Sequence, residues 1–194
     1  MREIALHLLD LAENSVSAGA HAITISVCED LDADRLSASV EDDGRGMDEE
    51  TVRKVIDPFY TSRTTRKVGL GIPLLKEAAE ACNGGLSILS KPGTGTHIEA
   101  SFQHSHIDRM PLGNLSTVFL ELTVAHPEIH WVFHYTARKN GTQSTFEFND
   151  EPVKDALADV PLTHPYVLAY LRETLTDGLE AAQKDIKTAI NQEI

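Results

Sequence analysis

The sequence predicts an α+β protein, with a larger unit over residues 1–103 and a small α/β domain over residues 104–194. Three observations lead there. In the first half, helical spacing of apolar residues and apolar–polar alternation both occur, and the alternating stretches come in pairs. Around residues 103–113 the pattern breaks into an irregular stretch with His104, His106, Pro111 and Gly113, where a domain boundary is placed. Beyond it both periodicities resume.

Residues 3–18 read as a helix, because Ile4, Ala5, Leu8, Leu9, Ala12 and Val16 recur at helical spacing and Ala18-Gly19 supplies a stop. Ala22 to Cys28 and Arg35 to Glu41 alternate and read as half-buried strands, joined by the acidic, turn-rich residues 29–34. Asp48 is a cap for a short helix reaching about Ile56. Residues 57–69 carry Pro58, paired aromatics and then Thr, Ser, Arg and Lys, a composition suited to a loop that orders on binding. Leu70 to Ala81 is a second long helix, closed by Asn83-Gly84-Gly85. Leu86 to Ser90 and His97 to Phe102 are strands joined by a Pro-Gly-Thr-Gly turn. Past the break, Leu115 to Ala125 reads as a helix, and Ile129 to Thr136 with Ser144 to Asn149 as a hairpin across Asn140-Gly141. Pro152 to Leu157 and Tyr166 to Lys187 are further helices. Alternation alone leaves open whether Trp131, Phe133 and Tyr135 face the interior.

Apolar residues make up 41% of the chain and charged residues 24%, as in soluble globular proteins. The net charge of −13 argues against a nucleic-acid partner, because such affinity comes largely from Lys and Arg. Arg63, Arg66 and Lys67 still form a local basic cluster. Cys28 and Cys82 read as small buried residues rather than as a disulfide or metal ligands. No apolar run approaches the length of a membrane span and no signal peptide opens the chain, so the expectation is a cytoplasmic protein without membrane contact.

The sharpest local signal is Asp42-Asp43-Gly44-Arg45-Gly46-Met47, between an alternating strand and a new helix. Gly44 and Gly46 let the backbone pass under a base or ribose without a Cβ clash, while Asp42 offers a carboxylate to an exocyclic amine such as that of adenine. Asp42, not Asp43, is the expected reader. Alone the motif is weak, since short Gly patterns recur by chance. It gains force from Glu13-Asn14-Ser15 upstream and from Gly69-Leu70-Gly71 and Gly93-Thr94-Gly95-Thr96 downstream. Asp10 and Asn14 lie four apart and share a helix face. The Asn14 oxygen suits Mg2+, and the Asp10 carboxylate can orient or deprotonate a nucleophile. Glu13 competes with Asn14 for the metal, although it lies round the helix from it. Gly69, Leu70 and Gly71 open the second long helix, whose free N–H groups and positive dipole end favour phosphate oxygens. Ser62, Arg63, Arg66 and Lys67 precede it and can neutralise charge.

These motifs together carry a resemblance. Residues 1–103 resemble the ATP-binding domain shared by DNA gyrase, a heat-shock chaperone, sensor histidine kinases and mismatch-repair ATPases, known as the GHKL or Bergerat fold. Leu11-Ala12-Glu13-Asn14-Ser15-Val16-Ser17-Ala18-Gly19-Ala20 is similar to the N box, especially its mismatch-repair version. Glu41-Asp42-Asp43-Gly44-Arg45-Gly46-Met47 resembles the first glycine box and Asp57-Pro58-Phe59-Tyr60 the histidine-kinase F box. Gly69-Leu70-Gly71-Ile72 resembles the second glycine box. Ser90-Lys91-Pro92-Gly93-Thr94-Gly95-Thr96 resembles the stretch that ends the kinase domain.

The resemblance implies a two-layer α/β sandwich, a mixed sheet with helices on one face, that binds ATP and Mg2+. It implies Asn14 for the metal, Asp42 for the adenine amino group, Gly69 and Gly71 for lid and phosphates, and Thr96 for a hydroxyl supporting adenine recognition. Position 10 departs from it, since many ATPase members have Glu there as the base; Asp10 points to a slow or partner-dependent reaction. His7 is expected to pack rather than to accept phosphate.

The leading expectation is a stand-alone, kinase-like ATP-binding protein that modifies or switches a protein partner, as the small anti-sigma serine kinases do. A non-catalytic ATP sensor is the second reading and a DNA-repair clamp the third. Residues 104–194 are expected to serve partner docking or homodimerisation.

Overall fold

A computed structural model describes residues 3–57, 71–157 and 160–191 of the protein, with side chains as far as residue 184. In chain order the elements are α1 (Ile4–Ser17), β1 (Ala22–Asp30), β2 (Arg35–Asp42), α2 (Glu49–Val55), α3 (Gly71–Ala81), β3 (Gly85–Lys91), β4 (Gly95–Gln103), α4 (Leu115–Ala125), β5 (His130–Lys139), β6 (Thr142–Asn149), α5 (Glu151–Leu157) and α6 (Pro165–Asn191). The local chemistry behind them is as the sequence predicts. Asp48 caps α2 by accepting from the Thr51 N–H at 2.8 Å, and Asn140 and Gly141 both take positive φ in the β5–β6 turn, as a two-residue primed turn requires.

The strands form one mixed six-stranded sheet in the order β3-β4-β2-β1-β5-β6. Neighbours are antiparallel except β1 and β5, which run parallel from Ala22 opposite His130 to Asp30 opposite Arg138. The two strands of the C-terminal half therefore extend the first sheet rather than building their own.

Period-two alternation sends Ile23, Ile25 and Val27 of β1, Leu36, Ala38 and Val40 of β2, and Ile98, Ala100 and Phe102 of β4 to the helix-covered face. Trp131, Phe133 and Tyr135 of β5 point the same way and are buried, which answers the question alternation left open. Phe133 stacks on Phe119 of α4 with ring centroids 4.1 Å apart. One continuous apolar core results, running from Ile4 and Leu8 of α1 through the sheet to Leu171 and Leu175 of α6. Cys82 is buried and Cys28 half-buried, and both are free thiols.

Candidate functional site

The sequence motifs converge at one end of the sheet, where β2 finishes, β1 and β4 begin, and α1 passes overhead. Asp42 is the last residue of β2 and lies opposite Ile23 on one side and Thr96 on the other. Its carboxylate is held by two donors: the buried Ser15 hydroxyl reaches Oδ2 at 2.6 Å and the Gly44 N–H reaches Oδ1 at 2.9 Å. An ionised carboxylate accepts about four hydrogen bonds, so each oxygen keeps a lone pair for a ligand amine.

Asp43 does something else. It turns back and accepts the His21 and Ala22 N–H groups at 2.7 and 3.0 Å, fastening the start of β1. Burial works against that carboxyl's charge, but the Ala22 and His21 amides outweigh it and hold its pKa below the ordinary value.

The glycine loop is sewn to both neighbours. Arg45 N–H donates to Ala18 O at 3.1 Å, and Gly93 N–H donates to Arg45 O at 2.8 Å. Gly46 has φ +64°, and a Cβ there would overlap the Lys91 carbonyl. Gly95 has φ +121°, and its Cβ would overlap the Asp42 carbonyl. These contacts are backbone on backbone, which only glycine permits.

Thr96 meets Ser90 across β3 and β4, with the hydroxyl oxygens 2.8 Å apart. Ser90 also accepts the Met47 N–H at 2.8 Å and donates to Gly95 O at 3.0 Å. With its single proton committed to Gly95, Ser90 accepts from Thr96, and the Thr96 lone pairs stay available to a water or ligand.

On α1, Asp10 and Asn14 are half-buried on one stripe. A methyl group on Gly71 would overlap Asp10 Oδ2, so the first residue of α3 sits directly on that carboxylate. Glu13 does not join them, because its Oε1 lies 3.0 Å from Nε2 of His126, beyond the C-terminal end of α4. His7 is 2% exposed, and burial lowers its pKa to about 4, so it packs as a neutral imidazole.

The structure thus brings together Asp10, Asn14, Asp42, Gly44, Gly46, Gly71 and Thr96. Ser62, Arg63, Lys67, Gly69 and Leu70, like Arg66 and the aromatic pair Phe59-Tyr60, lie outside the described residues. Two contributors escaped the sequence reading as site residues, Ser15 and Ser90. Ser15 stands inside the N-box stretch, one position past Asn14, so its motif was in view. Ser90 opens the Ser90–Thr96 motif, but its contacts depend on the β3–β4 register, which the motif does not give.

A family model described as histidine kinase-, DNA gyrase B-, and HSP90-like ATPase matches residues 2–106, just over half of the chain. Sensor histidine kinase YxdK of Bacillus subtilis is 36% identical over 75 residues, covering 37% of this chain and 23% of that protein. Sensor protein kinase FleS of Pseudomonas aeruginosa is 39% identical over 89 residues, covering 46% of this chain and 22% of that protein. The match thus spans less than a quarter of either relative's length. Among solved structures, the N-terminal domain of a DNA repair protein aligns with a TM-score of 0.55 at 16% identity, over 76% of this chain and 53% of that one, a likeness of fold. Among the described residues, no helix is long and apolar enough to cross a membrane.

Proposed function

The chain belongs to the histidine kinase-, DNA gyrase B-, and HSP90-like ATPase family, and on that premise we propose that it binds ATP with Mg2+ and uses it to phosphorylate or switch a protein partner in the cytoplasm. The observation that carries the reading is the Asp42 carboxylate, pre-set by Ser15 and Gly44 with lone pairs to spare, beside Gly46 and Gly95, where a Cβ has no room.

In this reading Asp42 accepts the adenine amino group and Thr96 supports the base, directly or through water. The Gly44–Gly46 turn lets the backbone lie under base and ribose. Gly71 opens α3, whose first-turn N–H groups and dipole suit phosphate oxygens. Ser62, Arg63, Lys67, Gly69 and Leu70, which lie outside the described residues, are the remaining candidates for phosphate contact. The Asn14 side-chain oxygen is a hard donor of the kind Mg2+ takes, and the metal when bound would neutralise phosphate charge. Asp10 would orient or deprotonate a nucleophile.

Isothermal titration with Mg·ATP tests binding, and Asp42→Asn should weaken it at least about tenfold, in line with losing a charge-assisted hydrogen bond. Incubation with labelled ATP and co-purified partners tests transfer. Hydrolysis to free phosphate, with label on no protein, would exclude phosphotransfer. A second reading, an ATP sensor that does not turn over, is favoured by Asp10, a shorter carboxylate than the Glu of many ATPase relatives. Steady-state turnover abolished by Asp10→Asn, with binding retained, would eliminate it.

A further inference from the structure

We propose that His126 is a positioning residue of the nucleotide site, holding the Glu13 carboxylate so that α1 presents Asp10 and Asn14 and keeps Glu13 away. The inference rests on the nucleotide-binding reading above and extends it to residues 104–194, for which the family resemblance supplies no role.

Helix α1 is gripped at both ends by that segment. Its N-cap, Glu3, gives no side-chain cap. Instead the Ile4 and Ala5 N–H groups donate to Pro111 O and Leu112 O at 3.0 and 2.9 Å. Gly113 packs so closely there that a Cβ would stand 3.1 Å from the Ala5 methyl. At the other end, Nε2 of His126 lies 3.0 Å from Glu13 Oε1. An ionised carboxylate can only accept, so Nε2 is the donor.

His126 is itself well anchored. Its N–H donates to Leu122 O at 3.1 Å, and its carbonyl accepts from Nε1 of the fully buried Trp131 at 3.1 Å. Its other ring nitrogen is 3.7 Å from Glu128. The tie therefore runs from the interior of the β5 layer to a residue adjacent to Asn14.

The geometry of a helix gives this contact its consequence. Side chains advance about 100° per residue, so Asn14 projects about 40° to one side of Asp10 and Glu13 about 60° to the other. Turning α1 so as to bring Glu13 towards the site has to break the His126 contact. A freed Glu13 would set an extra carboxylate next to the Asn14 ligand position and repel the phosphates. The pair is partly exposed, His126 at 22% and Glu13 at 47%, and such surface ion pairs add little to stability. A merely structural role thus predicts almost no phenotype, and a positioning role predicts a functional one.

The experiment compares His126→Phe, His126→Gln, Glu13→Gln and the Phe/Gln double variant in the full chain, measuring Mg·ATP affinity, steady-state turnover and melting temperature. His126→Phe should lower affinity or kcat about tenfold while shifting the melting temperature by about 2 °C or less. His126→Gln, which keeps an N–H donor, should recover most of that loss. In the double variant no free carboxylate remains, so the His126→Phe defect should shrink. Wild-type binding and turnover reproduced by a folded His126→Phe would overturn the inference. Should that variant fail to fold, wild-type binding and turnover in a folded His126→Leu, which likewise lacks a donor, would overturn it equally. Absence of any nucleotide binding by the wild type is a different result, removing the underlying reading and this one with it.

Discussion

Asp43 accepts two backbone N–H groups, whereas its neighbour Asp42 accepts one and a buried hydroxyl and keeps a lone pair on each oxygen. The two substitutions should therefore separate. Asp43→Ala strands the His21 and Ala22 amides near the surface, where water can reach them, and should cost about 1 kcal/mol in a denaturant melt with nucleotide affinity largely kept. Asp42→Asn should do the reverse. The pH signature of Asp43 differs from that of His7 as well. The folded His7 pKa is depressed from 6.5 to about 4, so the unfolded chain takes up a proton that the folded one refuses. Stability is then full above pH 6.5 and declines as pH falls from there towards 4. The Asp43 carboxyl is depressed too, and its contribution is present above the ordinary carboxylate pKa of 3.8 and lost only below it. Unfolding free energies measured between pH 7.5 and 4.5 should accordingly fall less in His7→Leu than in the wild type. An equal decline in both would show that His7 does not carry this part of the profile.

At the scale of elements, two of the close glycines of the site, Gly46 and Gly71, differ in what a methyl group would meet. At Gly46 the obstacle is the Lys91 carbonyl of the β3–β4 turn, backbone that cannot step aside, and the residue has φ +64°. At Gly71 the obstacle is the Asp10 carboxylate, side chain rather than backbone. Gly46→Ala should thus destabilise the fold by about 1–3 kcal/mol, whereas Gly71→Ala should leave the melting temperature nearly unchanged and lower turnover by displacing Asp10. Circular-dichroism melts beside a phosphate-release assay distinguish the two. Much of this element-scale picture was legible in the sequence, because it depends on residues close in the chain. The Asp48 cap, the Asn140-Gly141 turn and the Asp10–Asn14 stripe all follow from spacings of a few residues. The Ser90–Thr96 contact was not legible, because it is set by which β3 residue faces which β4 residue. The Glu13–His126 contact was further out of reach, spanning more than half the chain.

At the scale of the whole molecule, the irregular stretch at residues 103–113 reads in sequence as an interruption, yet the sheet passes across it. Alternation identifies Trp131, Phe133, Tyr135 and Ala137 as sharing one face, but it says nothing about which strand β5 will join. The answer is β1, the strand that also starts at the candidate site. Two polar ties accompany that pairing. Glu29 at the far end of β1 accepts from the Tyr135 hydroxyl at 2.6 Å, and it lies 2.9 Å from Nε2 of His104. Burial opposes the Glu29 charge, but the His104 and Tyr135 hydrogen bonds prevail and hold its pKa low. Phe133 lies fully buried between Phe119, Trp131 and Phe148, and its side chain joins α4 and β6 to the core shared with α1. Two halves sharing a sheet and a core in this way should unfold together. The chain has a single tryptophan, and Trp131 sits in the C-terminal half, so its fluorescence reports that half alone while far-ultraviolet circular dichroism reports both. The two probes should give the same denaturant midpoint in the wild type. Phe133→Ala should move both midpoints down together, by about 3–5 kcal/mol of unfolding free energy. Mg·ATP at about a hundredfold over its dissociation constant should raise the Trp131 midpoint by the equivalent of about 2.7 kcal/mol, because a ligand held between α1 and β2 stabilises everything that unfolds with them. A Trp131 transition that ignored nucleotide, while circular dichroism showed a second transition that responded to it, would mean that the two halves fold independently despite their common sheet.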